Sequence, residues 1–534
     1  MGDYFSPTGP AAIRSRTKCA HGHKTIMGTE TELKFDVAPQ DLRKLKAAPA
    51  LHQKPAKEEN LISVYFDTPK HKLARNGVSL RVRHDGDKRL QTVKSEGSGD
   101  SFRRGEWERE IRGNVPNLGK AGGTALAPLL INKLKRRLKP IFATNVHRTR
   151  IPVFKNGSRI EVALDEGQVR AGRRSASISE VELELKRGKA SDVFKLGRQL
   201  AKLVPAKLEL KSKAERGYDL IEHKPAQAVC AEKIKLRRGT STADAFRIIA
   251  RSTLRHITAN EPAVQRSDSE GVHQMRVGLR RLRAAISLFS KLFGDKQTER
   301  IKSELNWLET EELSLARDLD VYERGTVEPL RRAAPATRGM KELEDALASR
   351  RAAAFAKAKA VIDSPRYRYL LLDTLQWLEV GDWARRPRRF CDRPIERFAA
   401  DILTQRTKSA TKKTKRLRKF DTRQRHKLRI AVKKLRYASD FFGRLFGSHK
   451  ARKRVSGFKA CLTDLQDHLG ALNDIAVHQK LGPKLVAGKS NTKVRARAFA
   501  ARIVSDREQG EMEPLLKAAG KDAQKFARIR PFWT

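Results

Sequence analysis

The chain has 534 residues, 39% of them hydrophobic and 33% charged, with a formal net charge of +53. That apolar content excludes a disordered chain, and the length allows two or more domains with their own cores. The basic excess occurs both before and after residue 230, so it points to polyanionic partners rather than to one charged tail. No apolar run is long enough to cross a bilayer, and the first residues lack an apolar signal core. No membrane insertion is therefore expected, and a cytoplasmic location is. Cys19, Cys230, Cys391 and Cys461 lie far apart, without disulfide or zinc spacing.

In chain order, residues 1–26 read as a disordered leader, which includes Cys19, His21 and His23. Residues 27–220 alternate strand-like runs with helical stretches, such as 124–138 and 191–203. Residues 221–239 read as a linker. From 240 to 534 the 3.6-residue period dominates. This helical part contains a repeat, with units starting near 240 and 393. HQMRVGLRRLRAAISLF begins at His273 and HKLRIAVKKLRYASDFF at His426. LARDLDV follows the first from Leu315, and LGALNDIAV follows the second from Leu469.

The strands of 27–220 carry charge on alternate residues, and alternate side chains share one face of a strand. Glu30, Glu32 and Lys34 form one set, and Arg81 and Arg83 another. Glu106, Glu108 and Glu110, then Glu161 and Asp165, follow. The longest set is Glu180, Glu182, Glu184 and Lys186, with Val181, Leu183 and Leu185 opposite. Glu209, Lys211 and Lys213 repeat the pattern. One such strand would be a solvated sheet face. At least six, mixing acids and bases, fit a closed barrel with a charged lumen and apolar outer faces covered by helices.

Carboxylates converging on one point suit Mg²⁺ or Mn²⁺. Arg and Lys from facing strands suit phosphate oxygens. Together they suit hydrolysis of a phosphoanhydride, and no P-loop glycine motif offers another phosphate chemistry.

Glu30-Thr-Glu-Leu-Lys34 resembles the ExExK signature of the CYTH, or triphosphate tunnel metalloenzyme, family. The resemblance continues through YFDTP at 65–69, LRVR at 80–83, QTVK at 91–94, RGEWE at 104–108, FATNVHR at 142–148, IEVALDEG at 160–167, SEVELELKRG at 179–188 and KSKAERGY at 211–218. It implies an eight-stranded antiparallel β-barrel that hydrolyses inorganic triphosphate with Mg²⁺ or Mn²⁺. Glu30, Glu32 and one or more of Glu180, Glu182 and Glu184 would take the metal. Lys34, Arg81, Arg83, Lys94, Arg148 and Lys213 would hold phosphate. Glu106, Glu108 and Asp165 would orient neighbours or water.

In the helical part, His273, Arg276, Arg280 and Arg283 form one stripe, and His426, Arg429, Lys433 and Arg436 repeat it at the same spacing. An apolar stripe runs beside each: Met275, Leu279, Leu282, Ile286 and Phe289 in the first, and Leu428, Val432, Leu435 and Phe442 in the second. These repeats resemble the CHAD domain, as do ARDLDV, LQDHLGALND and the terminal IRPFW. That resemblance implies an all-α domain of two pseudo-symmetric four-helix bundles, whose two stripes bind inorganic polyphosphate. Asp318 and Asp474 would orient the bases. The expected fold is thus α+β: a tunnel barrel followed by helical bundles, at work in the cytoplasm or at polyphosphate granules. A non-catalytic polyphosphate scaffold is the alternative. Nucleic acid is not the expected partner, because aromatics are only 6% and no stacking motif is present.

Overall fold

A computed structural model describes residues 26–52, 54–95, 103–130, 134, 136–222, 227–385, 388–414, 417–447, 449–487 and 491–533. Cys19, His21 and His23 lie outside them. The N-terminal strands are β1 (Ile26–Asp36), β2 (Lys57–Asp67), β3 (Val78–Asp85), β4 (Lys88–Ser95), β5 (Arg103–Ile111), β6 (Lys139–Lys155), β7 (Ser158–Ala171), β8 (Arg174–Arg187) and β9 (Lys207–Leu208). They form one sheet in the order β5-β4-β3-β2-β6-β7-β8-β1-β9, and every pairing is antiparallel. β1 pairs twice along its length: Ile26–Thr31 with β5 and Glu32–Asp36 with β8. Short turns set the registers. Asn156-Gly157, with φ of 50° and 77°, joins β6 to β7 as a two-residue hairpin loop.

Three expectations need correction. Nine strands are found rather than eight, because Lys207–Leu208 adds to the edge of β1. The alternation at Glu209, Lys211 and Lys213 is not a strand either. Ser212 accepts from the Glu215 amide and Glu215 accepts from the Ser212 amide, a capping box that starts a helix at Lys213. Of the helix expected over 124–138, the described residues show helical backbone at Leu134 and a 3₁₀ turn before it. Ala127–Leu129, with Pro128 inside, makes a single 3₁₀ turn.

Helices cover the apolar face of the sheet. They are α1 (Pro39–Lys46), α2 (Ala190–Leu203) and α3 (Lys213–Ile221). Leu33, Phe35, Val162, Val181 and Leu183 are buried with Leu42 of α1 and Phe194 and Leu196 of α2. Leu80, Val82 and Val93 pack with Leu126 and Leu134. Tyr65, Phe142 and Val169 pack with Ala214 of α3.

The rest of the chain is all-helical in its described residues. Its longer helices are α4 (Thr242–Ala259), α5 (Ser269–Leu288), α6 (Lys296–Trp307), α7 (Ser314–Tyr322), α8 (Met340–Asp363), α9 (Pro365–Val380), α10 (Ile395–Thr414), α11 (Thr422–Phe442), α12 (His449–Val486) and α13 (Thr492–Arg528). The repeat helices α5 and α11 pack against each other, and α7 touches both α5 and α12. The starts of α4 and α10 meet in an isolated bridge between Ser241 and Pro394. Arg251 and Glu379 form a buried ion pair between α4 and α9. No described helix is long and apolar enough to cross a membrane.

The two parts share one continuous apolar cluster. At their junction Tyr369 of α9 donates to the Ala201 carbonyl at 3.2 Å, and Lys207 pairs with Asp363 at 2.9 Å.

The fit of α3 on the sheet depends on Gly217. A Cβ there would lie 2.3 Å from the Phe142 ring. Gly217→Ala is therefore expected to cost about 1–3 kcal/mol by overpacking. A lowered midpoint in denaturant unfolding would register it.

Candidate functional site

Strand register brings the alternating charges to one face. On β8, Glu180 lies opposite Asp36 of β1 and Asp165 of β7. Glu182 lies opposite Lys34 and Ala163, and Glu184 opposite Glu32 and Glu161. Directly opposed side chains on a sheet have Cβ atoms roughly 4.5–5.5 Å apart. Rows of like charge at that spacing repel unless cations enter them, and cations do enter. Side chains from β1 to β8 and α3 line a cavity of about 490 Å³.

One wall is a compensated acidic cluster. Asp165 and Glu180 are fully buried. Carboxylate oxygens of Asp165, Glu180 and Glu182 lie within 4.8 Å of one another. Lys213, at the first turn of α3, pairs with Asp165 at 2.7 Å, with Glu182 at 2.8 Å and with Glu180. Arg148 of β6 holds Asp165 by two hydrogen bonds of 2.7 and 2.6 Å and also pairs with Glu182. Lys34 sits 3.0 Å from Glu182, 3.6 Å from Glu180 and 3.8 Å from Glu32. Burial alone would raise the Glu182 carboxyl. Lys213, Lys34 and Arg148 outweigh it and hold the group well below the usual carboxylate range. A second row is more open: Lys186 pairs with Glu184 at 2.6 Å and with Glu161 at 3.5 Å.

The facing wall, from β3 to β5, has cations to spare. Glu106 is 3.8 Å from Arg81 and 3.3 Å from Lys94. Glu108 accepts from Thr92 at 3.1 Å. Arg83 makes no ion pair or side-chain hydrogen bond among the described residues, and its Nε is buried without an acceptor. Burial, then the charges of Arg81 and Arg148, push its guanidinium down to about 10. A half-buried guanidinium so destabilised favours the arrival of an anion.

Most of the sequence-predicted residues of this domain meet here. Glu32, Lys34, Arg81, Arg83, Lys94, Arg148, Glu182, Glu184 and Lys213 all line the cavity, and Glu180 lies beneath it. Glu30 is on β1, opposite Arg104, but its side chain lies outside the described residues. Asp165, given only an orienting role from the sequence, stands at the centre of the cluster. Sequence reasoning gave no role to Arg150, Lys186 or Arg216. Arg150 continues the alternation after Arg148 and pairs with Glu59 at 2.9 Å. Arg216 is one helical turn from Lys213 and pairs with Glu209 at 2.7 Å and Glu180 at 3.3 Å. Both spacings were readable.

The helical part holds a second basic site where α5 and α11 meet. Arg280, Arg429, Lys433 and Arg436 make no ion pair or side-chain hydrogen bond among the described residues, and the Nε atoms of the three arginines are buried without acceptors. His426 Nδ1 lies 2.9 Å from Asn473 Oδ1. Burial, then Arg317, push the His273 imidazole down to about 4, so it is neutral at pH 7. Two of the predicted stripe differ: Arg283 pairs with Glu309 and donates to Asn306 at 2.8 Å, and Arg276 donates to the Glu309 carbonyl. Asp318 feels Arg276 and Asp474, and Arg429 feels Asp474. The two aspartates are thus near each other, with Asp318 close to Arg276 of one stripe and Asp474 close to Arg429 of the other.

The fold and its sites define a two-domain protein, an antiparallel sheet around a charged cavity followed by a helical unit with a basic face. Residues 28–218 match the CYTH domain family and residues 248–482 the CHAD domain family, so the chain carries a CYTH domain followed by a CHAD domain. An inorganic triphosphatase from Haemophilus influenzae is 31% identical over 204 residues, 36% of this chain and 56% of the relative. The match thus spans little more than half of that relative's length. The crystal structure of the CHAD domain from the plant Ricinus communis is 30% identical, with TM-score 0.49, covering 56% of this chain and 96% of that one. A Hippeastrum protein described as an adenylyl cyclase with a dominant triphosphatase activity is 18% identical, with TM-score 0.27, covering 37% and 97%.

Lys433 gives the basic face a pH signature. Burial, then Arg429 and Arg280, push its amine down to about 7, against the opposing pull of Asp474 and Glu309. An anion bound beside it restores the ordinary, higher value, so binding takes up a proton above pH 7. Polyanion affinity should therefore fall as pH rises through that value. Calorimetry in buffers of different ionisation enthalpy should show the uptake, and Lys433→Met should abolish it.

Proposed function

We propose that the CYTH domain hydrolyses a phosphoanhydride bond of inorganic triphosphate with Mg²⁺ or Mn²⁺, and that the CHAD domain binds inorganic polyphosphate. The observation that carries the first half is Arg83, a half-buried guanidinium without a carboxylate partner among the described residues, across the cavity from the acidic cluster. Arg81, Arg83 and Lys94 would grip phosphoryl oxygens. Lys34, Arg148 and Lys213 are committed to carboxylates, and they would keep those carboxylates ionised and in place. They would also add positive field where charge develops on the broken bond. The oxygen-only donor set fits a hard divalent ion. Glu30, Glu32, Glu180, Glu182 and Glu184, with Asp165, are the groups to hold it, and when bound it supplies a polarised phosphoryl oxygen and an acidified water. Glu106 and Glu108, held by Lys94 and Thr92, would orient the attacking water.

The double pairing of β1 supports a closed eight-stranded tunnel, with β9 as an addition at its edge. The meeting of α4 with α10, and of α5 with α11, supports two helical bundles related by a pseudo-twofold axis. On this reading domains run from 27 to 220 and 240 to 534, and the protein works in the cytoplasm or at polyphosphate granules. The unpaired cations of α5 and α11 carry the polyphosphate half: Arg280, Arg429, Lys433 and Arg436, with His273, His426, Arg276 and Arg283 beside them. A scaffold that holds phosphate without cleaving it is the second reading. The near-complete neutralisation of Asp165, Glu180 and Glu182 by the chain's own cations favours it.

Phosphate release separates the two. With Mg²⁺ or Mn²⁺, inorganic triphosphate should be cleaved faster than ATP, thiamine triphosphate or long-chain polyphosphate, and combined Glu30→Ala and Glu32→Ala should lower the rate by about 10²-fold or more. No release from any triphosphate leaves the scaffold. For the helical face, long-chain polyphosphate should outcompete DNA and RNA at physiological salt, and the reverse order removes polyphosphate as the partner.

A further inference from the structure

We infer that Arg255, a residue of the CHAD domain, is a positioning residue for the triphosphate site of the CYTH domain. The inference rests on the functional reading above and adds a coupling between its halves.

Lys213 has an unusual origin among the cavity cations. The other cations that line the cavity stand on strands, whose ladders fix them, while Arg216 reaches Glu180 from α3 without being part of the lining. Lys213 stands at the first position of α3, just after the loop that leaves β9. A helix start leaves its first amides unsatisfied and is defined by whatever caps it. Here the cap is Ser212 with Glu215: the Glu215 amide donates to Ser212 Oγ at 3.1 Å, and the Ser212 amide donates to Glu215 Oε2 at 2.8 Å. The other Glu215 oxygen, Oε1, accepts from Arg255 Nη2. Arg255 Nη1 donates to the Leu210 carbonyl at 2.9 Å. One guanidinium from α4 thus ties the strand-to-helix loop to the cap residue, on both sides of Lys213.

Arg255 is itself anchored. It stands on α4, whose Phe246, Ile249 and Leu254 are in the apolar cluster shared with Leu208 and Leu210. One turn earlier, Arg251 makes the buried pair with Glu379. The Arg255–Glu215 pair is about a quarter exposed on each side, so its contribution to global stability is small. Its geometric effect is larger. Lys213 meets three carboxylates at hydrogen-bond distance, and a shift of about 1 Å in its backbone would break that set.

The test uses the full-length chain. Arg255→Met should lower kcat on inorganic triphosphate by about tenfold, with KM changed less than about twofold. Arg255→Lys, which can restore one of the two contacts, should recover part of the loss. Glu215→Gln keeps the cap but removes the charge partner. It should lower kcat similarly, and the double variant should be no worse than either single one. Polyphosphate binding by the CHAD domain should be unchanged in all four variants. Wild-type kcat in Arg255→Met, or losses that multiply in the double variant, would overturn the inference. If the wild type itself cleaves no triphosphate, the functional reading fails. Hydrogen exchange then decides the inference alone: faster exchange at the amides of residues 211–216 in Arg255→Met supports it, and unchanged exchange overturns it.

Discussion

The N-terminal domain depends on one electrostatic constraint: the alternating carboxylates of β8 cannot share a face without cations between them. Glu180 and Asp165 have no exposure to solvent that could screen them. Four cations from three elements meet this demand, Lys34 from β1, Arg148 from β6, and Lys213 and Arg216 from α3. Each of those elements is therefore held in register by the same carboxylates. Removing any one cation from such a cluster leaves a buried charge uncompensated, which costs far more than the pair contributes on its own.

The same constraint divides the cavity by task. Cations of the wall formed by β1, β6 and β8 and of α3 are consumed by carboxylates. On β3 and β4, Arg81 and Lys94 share Glu106, and Arg83 has no carboxylate partner among the described residues. A polyanion entering the cavity would find its partners on the second wall and a ready acidic surface on the first. The helical domain solves a different problem. Its basic residues sit on helices already committed to packing, so half of each helix is core and half is cation. Where α5 crosses α11, the unpaired bases of both repeats come together, and burial, then Arg429 and Arg280, lower the proton affinity of Lys433.

Much of this was legible because a strand exposes its chemistry at a period of two. The sets on β1, β3, β5 and β8 could be read directly, as could Arg280, Arg429, Lys433 and Arg436 from their repeated register. What failed did so for physical reasons. The alternation from Glu209 to Lys213 looked like a strand, yet the Ser212–Glu215 cap turned it into a helix start. Pro128 sits in the single 3₁₀ turn found where apolar periodicity suggested a helix. The central position of Asp165 arises from cross-strand register, which no single segment reveals. The commitment of Arg283 to Glu309 likewise depends on a contact between distant helical segments.

The central claim is that the cavity between the two walls holds a triphosphate group. A crystal structure of the full chain with inorganic triphosphate and a divalent ion tests it most directly. The account predicts phosphoryl oxygens on Arg81, Arg83 and Lys94, with the ion against the carboxylates of β1 and β8. Triphosphate bound solely on the α5–α11 face, with Arg83 still unliganded, would contradict it.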